Sequence, residues 1–399
     1  MKTNLAVFFG GRSVEHDVSI VTGLQAMENV DLNRYHVVPV YLARDGQWYT
    51  GEGLRKTEVY KQFDPAACGA KPTRLSGVPG QGLIVREEKS GLFGGSAKEV
   101  VIPIDVAMLC MHGVHGEDGA LQGVLEMSDI AYTSASIGGS AAGMDKALMK
   151  KVFAGCGFPM PAYFDFTRDA WKADADAIVL RMQQEIGFPL YVKPASLGSS
   201  IGITRVTQAD ALRDAVALAL SYDRKVVVEA GVPNAMEINC SVLGYGSDCR
   251  ASMCEKPLGW KDFLTFDDKY LRQGGKGKGG STRQIPAPIG DELTRKIKTL
   301  ACEIFTAMDC KGVVRIDFLV NEATGELFVN EINTIPGSMA FYLWEPCGLK
   351  YPQLIDELVA IAQRALSEKK QNSYAYDSTL LEKVQLGGGV KGAKGVKRG

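Results

Sequence analysis

No CxxC pair occurs among the nine cysteines of this 399-residue chain. Cys68, Cys110, Cys156, Cys240, Cys249, Cys254, Cys302, Cys310 and Cys347 are scattered, which excludes a paired-cysteine zinc site and a disulfide framework. An odd count fits a reducing interior. A basic excess is missing too: 45 Lys and Arg stand against 46 Asp and Glu, for a net charge of −1. A dedicated nucleic-acid binder needs more positive charge than that. No apolar run is long enough to span a bilayer. The opening "MKTNLAVFFGG" lacks the longer apolar core and cleavage site of a signal peptide. No internal repeat is evident, and the glycine-bearing stretch 187–206 matches neither the Walker A pattern nor GxGxxG. These absences leave the expectation of a soluble cytoplasmic protein with neither nucleic-acid nor membrane partners.

What is present is apolar material in strand-sized pieces. Hydrophobic residues make up 46% of the chain, and its length predicts two or three globular units. "LAVFFGG" reads as a buried strand entering a glycine turn, followed by the helix "SIVTGLQAMENV". "HVVPVYLA" and "VAMLCMHG" are further strands, so an α/β unit with a doubly wound parallel sheet is expected through residue 138. A central unit over 139–235 and a third over 236–370 follow, with 371–399 as an extension. "DELTRKIKTLACEIFTAM" and "YPQLIDELVAIAQRAL" are amphipathic helices, the first expected to be capped by its Asp. The Gly/Lys-rich stretch 272–284 reads as a loop within a lid over 267–288, and the tail 386–399 as a flexible end.

The densest chemistry lies in "VVRIDFLV" and "ELFVNEIN", two strands closed by "EATG". Pairing Val320 with Phe328 sets Asp317 opposite Glu331 and Arg315 opposite Asn333. These four then share one face while Val314, Ile316, Phe318 and Ile332 share the other. Two carboxylates about 4 Å apart repel by roughly 4 kcal/mol at an effective dielectric near 20. Pairing with Arg315 or binding a cation would relieve this. An oxygen-only Asp/Glu/Asn set suits Mg²⁺, and a solvated cross-strand ion pair suits the same residues; the hairpin alone leaves both open. Upstream, Lys193 ends an apolar strand and "GSSIG" follows, where small residues and the Ser199 and Ser200 hydroxyls can approach a phosphate. Glu229 ends the strand "VVVEAG", with Glu237 after a turn; either an adenine or ribose contact or a surface carboxylate fits.

Taken together these blocks resemble the ATP-grasp carboxylate–amine ligases, and within them the D-alanine–D-alanine ligase family. The likeness covers roughly residues 3–366. It runs in order through "GGRSVEHDVS", "HGVHGEDGALQGVLE", "GMDK", "YVKPASLGSSIG", "DDKY", "RIDF" and "NEINTIPG". It implies a three-domain ATP-grasp architecture and a cytoplasmic, commonly homodimeric enzyme of peptidoglycan precursor synthesis. Such an enzyme uses ATP to activate one D-alanine as an acyl phosphate, which the amine of a second attacks.

The resemblance also implies roles. Asp317, Glu331 and Asn333 look like ligands of two Mg²⁺ ions, with Mn²⁺ suited to the same oxygens. Lys146, Lys193 and Lys269 resemble cationic clamps, with Ser200 at the glycine loop and Glu229 and Glu237 at adenine and ribose. Arg315 and the Gly337 N–H resemble an oxyanion hole. Glu15 resembles the acceptor of the first substrate's ammonium, Ser199 and Tyr270 its companions, and His112 a wall of that pocket. Tyr342 and Leu343 fall at the second-substrate end. The family has a serine where this chain has Tyr342, so D-serine, D-lactate or another acceptor stands beside D-alanine. A non-catalytic nucleotide-binding regulator on the same fold is the alternative from another class. Arg283 could reach phosphate or a substrate carboxylate, or be a solvated loop residue.

Overall fold

The computed structural model describes residues 2–87, 98–258 and 283–378. Lys269, Tyr270, the 386–399 tail and most of the expected 267–288 lid lie outside the described residues.

Among the described residues, eight strands form the first sheet: β1 (Thr3–Gly10), β2 (Tyr35–Leu42), β3 (Trp48–Thr50), β4 (Lys71–Leu75), β5 (Leu83–Glu87), β6 (Lys98–Ile102), β7 (Val106–Leu109) and β8 (Ala131–Tyr132). Their order is β6-β5-β4-β3-β2-β1-β7-β8. Only β2, β1, β7 and β8 are parallel; β2 through β6 pair antiparallel. The expected doubly wound sheet is therefore its parallel half. Strands β1 and β7 are apolar and buried on both faces, as parallel strands must be. Gly10, at φ 88°, turns the chain out of β1, and a Cβ there would meet the Leu42 carbonyl oxygen at 2.4 Å.

The second sheet is antiparallel, in the order β11-β10-β12-β9, with β9 (Tyr163–Thr167), β10 (Leu190–Pro194), β11 (Thr204–Val206) and β12 (Lys225–Ala230). The third has β13 (Ala235–Tyr245), β14 (Asp248–Pro257), β15 (Arg283–Gln284), β16 (Lys311–Asn321) and β17 (Leu327–Asn333), in the order β15-β14-β13-β16-β17. Each sheet has its own apolar core, and the helix Tyr351–Lys369 joins the first of these through Leu354, Ile355 and Leu358. The helix Gly290–Ala307 begins at Ile289 with no side-chain cap, and Asp291 sits inside its first turn. That corrects the expected Asp cap: Gly290, at φ 72°, makes the turn one residue earlier. No helix among the described residues is long and apolar enough to cross a membrane.

The β16–β17 hairpin pairs Asp317 with Glu331 and Arg315 with Asn333, but Val320 pairs with Leu327 rather than Phe328. A bulge between Asp317 and Phe318 absorbs the difference, with Asn330 as the extra residue. The burial pattern explains it: Leu327 and Val329 are buried, then Ile332, so the inward parity changes once between them. The bulge lets both halves of β17 bury apolar side chains while Glu331 and Asn333 face the opposite way.

Candidate active site

Three sheets bring their polar faces to one place. On the third, a row crosses four strands: Glu255 pairs with Asn239, Asn239 with Asp317, and Asp317 with Glu331. A second row runs Ser241–Arg315–Asn333. Arg315 grips Asp317 with both ends of its fork, Nε to Oδ1 at 2.6 Å and Nη2 to Oδ2 at 2.7 Å. Asn333 donates to the same Oδ2 at 2.9 Å. Asp317 is only 3% exposed, so the ion pair expected at the surface is buried instead. Burial lowers the Arg315 pKa, but the Asp317 carboxylate outweighs it and holds the guanidinium fully charged.

The helix Lys146–Gly155 supplies the opposing charge. Asp145 caps it by accepting from the Ala147 and Leu148 amides. Lys146 Nζ lies 3.2 Å from Glu331 and donates to the Leu197 carbonyl at 2.9 Å. One turn on, the fully buried Lys150 lies 3.2 Å from Glu229, whose other oxygen accepts from Lys193 at 2.8 Å. Burial pushes the Glu229 carboxyl up, but Lys150 and Lys193 outweigh it and hold it down at about 2. Lys150 does not share the benefit equally: burial and its neighbour Lys193 lower its pKa despite Glu229. The surface-carboxylate alternative for Glu229 is thereby excluded. Glu237 stands on β13 opposite Leu319.

The loop "LGSS" crosses to the first sheet. Ser199 and Ser200 take left-handed φ of 54° and 61°, and Ser199 Oγ donates to the Glu15 carboxylate. Glu15 is 4% exposed at the start of the helix His16–Asn29. Gly198 lets the loop approach closely, since a Cβ there would come within 2.8 Å of that carboxylate and displace it. His112 bonds Thr22 through Nε2 at 2.8 Å, and its backbone N–H donates to Ser19. Burial lowers its pKa to about 4, so the ring is neutral at pH 7. Gly337 opens a tight turn in which Ser338, Met339 and Ala340 have φ of 51°, 54° and 51°. Ser338 ties that turn to the helix His16–Asn29 through Gln25 at 2.6 Å.

At the far end, Tyr342 is half-buried and donates to Glu255 Oε1 at 3.1 Å, beside the fully buried Leu343. The Arg283 guanidinium stacks 3.7 Å from the centre of the Tyr342 ring and lies 3.7 Å from Glu255 Oε2. Arg283 is thus partly buried in this cluster rather than solvated.

A model of the D-ala D-ala ligase N-terminus matches residues 4–135, and one of the D-ala D-ala ligase C-terminus matches residues 152–360. The chain belongs to the D-alanine–D-alanine ligase family. It is 36% identical over 384 residues to a D-alanine–D-alanine ligase of Thermosipho melanesiensis, covering 96% of this chain and 99% of that protein. Identity is 37% to one of Thermoanaerobacter sp., over 92% of this chain and 98% of the relative. The solved D-alanine-D-alanine ligase from Coxiella burnetii is similar at TM-score 0.74 and 28% identity, covering 93% of this chain and 98% of that one. VanG D-Ala:D-Ser ligase from Enterococcus faecalis is similar at TM-score 0.74 and 27% identity, covering 91% and 100%.

Sequence reasoning missed four residues that the fold brings into this cluster. Lys150 follows Lys146 by one helical turn, a spacing that already puts both on one face. Glu117 accepts from the Gly113 amide at 2.8 Å and the Ile335 amide at 3.0 Å, bracing the turn before Gly337. Burial and then the Glu15 carboxylate push its acid up. Asn239 and Glu255 become partners only when β13 and β14 pair, and no local pattern marks them.

The donor set fits the family's ATP and Mg²⁺. Asp317, Glu331 and Asn333 offer oxygens on one face, and Mg²⁺ needs only one or two carboxylates when phosphates and water complete its shell. No group of three or more His, Cys, Asp or Glu forms an all-protein cage among the described residues.

Proposed function

We propose that this chain joins two D-alanines, using ATP, to give D-alanyl-D-alanine, ADP and phosphate for peptidoglycan precursor synthesis. The observation that carries the reading is the polar face of β16 and β17, where Asp317, Glu331 and Asn333 meet Arg315 and Lys146. A carboxylate is a poor electrophile until one oxygen becomes a phosphate leaving group. Asp317, Glu331 and Asn333 would hold Mg²⁺, in two ions, which would offset charge on the transferring phosphoryl group. Lys146, Lys193 and the Ser200 loop clamp phosphate, with Glu229 and Glu237 toward the nucleoside.

Glu15 takes the first substrate's ammonium, and Ser199 secures Glu15 across the two units. Neutral His112 walls that pocket without adding charge. Arg315 and the Gly337 N–H face the oxyanion of the tetrahedral intermediate; removing one such donor costs about a hundredfold or more in rate. Enclosure protects the acyl phosphate from water and holds the amine beside it. Lys269 and Tyr270 lie outside the described residues; the resemblance gives Lys269 to the phosphate or substrate clamp and Tyr270 to the company of Glu15. A homodimeric cytoplasmic enzyme completes the reading, with units at 1–138, 139–235 and 236–370.

The test is phosphate release and product mass for the purified chain with ATP, Mg²⁺ and D-alanine. Release that depends on D-alanine, with a dipeptide product, is expected. No amino-acid-dependent release would replace the enzyme with a nucleotide-binding regulator. Tyr342, at the family's serine position, makes D-serine and D-lactate necessary arms of the same screen.

A further inference from the structure

Among the described residues, two buried oxygens on the third sheet have no hydrogen bond: Glu255 Oε2 and Asn239 Oδ1. Both side chains are nearly sealed from solvent, at 3% and 4% exposure. Their other atoms are occupied, because Glu255 Oε1 accepts from Tyr342 at 3.1 Å and from Asn239 Nδ2 at 3.2 Å. A buried acceptor left unpaired is unfavourable until a donor arrives, so two neighbouring ones point to a ligand rich in N–H. The two residues pair across β13 and β14, in the row that continues to Asp317 and Glu331. Glu255 stands two strands from Asp317, roughly 10 Å along that face.

We propose that Glu255 and Asn239 hold the ammonium of the acceptor amino acid and thereby select amine acceptors over hydroxy acids. This rests on the ligase reading above. An ammonium carries three donors and no acceptor, the complement of two oxygens that accept no hydrogen bond, one of them on a carboxylate. A divalent ion fits poorly, since the Arg283 guanidinium lies 3.7 Å from the same Oε2. An α-amino acid zwitterion matches that arrangement, with its ammonium toward Glu255 and its carboxylate toward Arg283. A hydroxy acid brings the carboxylate without the cation. Tyr342 then acts as a positioning residue, fixing Glu255 by its hydroxyl where the family's serine is too short to reach.

The experiment separates the two halves of the reaction in the full-length chain. D-Alanine, ATP, Mg²⁺ and hydroxylamine report acyl phosphate formation as D-alanine hydroxamate, while dipeptide reports capture by the acceptor. Glu255→Gln should raise the KM for acceptor D-alanine about tenfold or more, the scale of a lost charged hydrogen bond. Hydroxamate formation and the KM for ATP should change less than about threefold by the same measure. With D-alanine and D-lactate in competition, the depsipeptide share of product should rise by about the same tenfold. Asn239→Ala, which keeps the Tyr342 and Arg283 contacts of Glu255, should give the same split in weaker form. An unchanged acceptor KM in both variants, parallel loss of hydroxamate and dipeptide, or a raised Mg²⁺ requirement would overturn the assignment. A wild-type chain that forms no hydroxamate would instead overturn the ligase reading itself.

Discussion

Glu229→Gln removes one charge from the most enclosed ion cluster of the site and leaves two buried lysines behind. Glu229 is 3% exposed, Lys150 is fully buried and Lys193 is 7% exposed. The two lysines hold the carboxyl at about 2, against an ordinary 4.5. At about 1.4 kcal/mol per pKa unit, that difference contributes about 3 kcal/mol at pH 7. Breaking a buried pair by removing one partner costs about 3–5 kcal/mol, the same range. Proton release from Lys150 limits the loss, because its pKa is already lowered by burial. For a chain of this length the expected melting-point drop is roughly 4 °C at pH 7. A carboxylate with a depressed folded pKa stabilises above its unfolded value and loses that stabilisation as pH falls through the folded one. The gap between wild type and variant should therefore close as pH falls from about 4.5 toward 2. Thermal unfolding across that range is the assay. A gap under about 0.5 kcal/mol at pH 7, or one that does not shrink in acid, would refute the assignment of Glu229 as the anion holding both lysines.

Glu331→Gln, which keeps shape and removes charge beside Lys146, should cut turnover by about a hundredfold or more while near-UV circular dichroism stays native; near-normal turnover would remove Glu331 from the metal set. Tyr342→Ser should change the acceptor KM far more than the ATP KM, and equal effects on both would move Tyr342 out of the acceptor pocket. Lys311 is 6% exposed and burial lowers its pKa to about 7, with Nζ donating to the Tyr132 carbonyl at 2.9 Å. Its fold favours the neutral amine, so the burial penalty is full below about pH 7 and is relieved as pH rises. Wild-type stability should gain about 2 kcal/mol between pH 7 and 9, and Lys311→Met should abolish that slope in urea titrations.

Much of the site was legible because the hairpin writes its register into its own side chains. The alternation of Val314, Ile316 and Phe318 allows one inward face, which forces Arg315 and Asp317 outward together. The parity change from Val329 to Ile332 is written in the same pattern, and it shifts the partner of Val320 from Phe328 to Leu327. Lys150 was equally local, one helical turn from Lys146. The antiparallel half of the first sheet was less visible, because β3 to β6 are short and only half-buried, so their apolar pattern is weak.

By itself the sequence determined the family, the order of the sheets' strands along the chain and the face shared by Asp317, Glu331 and Asn333. These follow from ordered motifs and from a period-two pattern that holds within a single hairpin. Only the tertiary structure decided that Ser199 reaches Glu15, that Glu229 answers two lysines, and that Tyr342 meets Glu255 and Arg283. Those contacts join residues between 36 and 184 positions apart in the chain. No local periodicity encodes them; they exist because separately cored sheets pack with their polar faces inward.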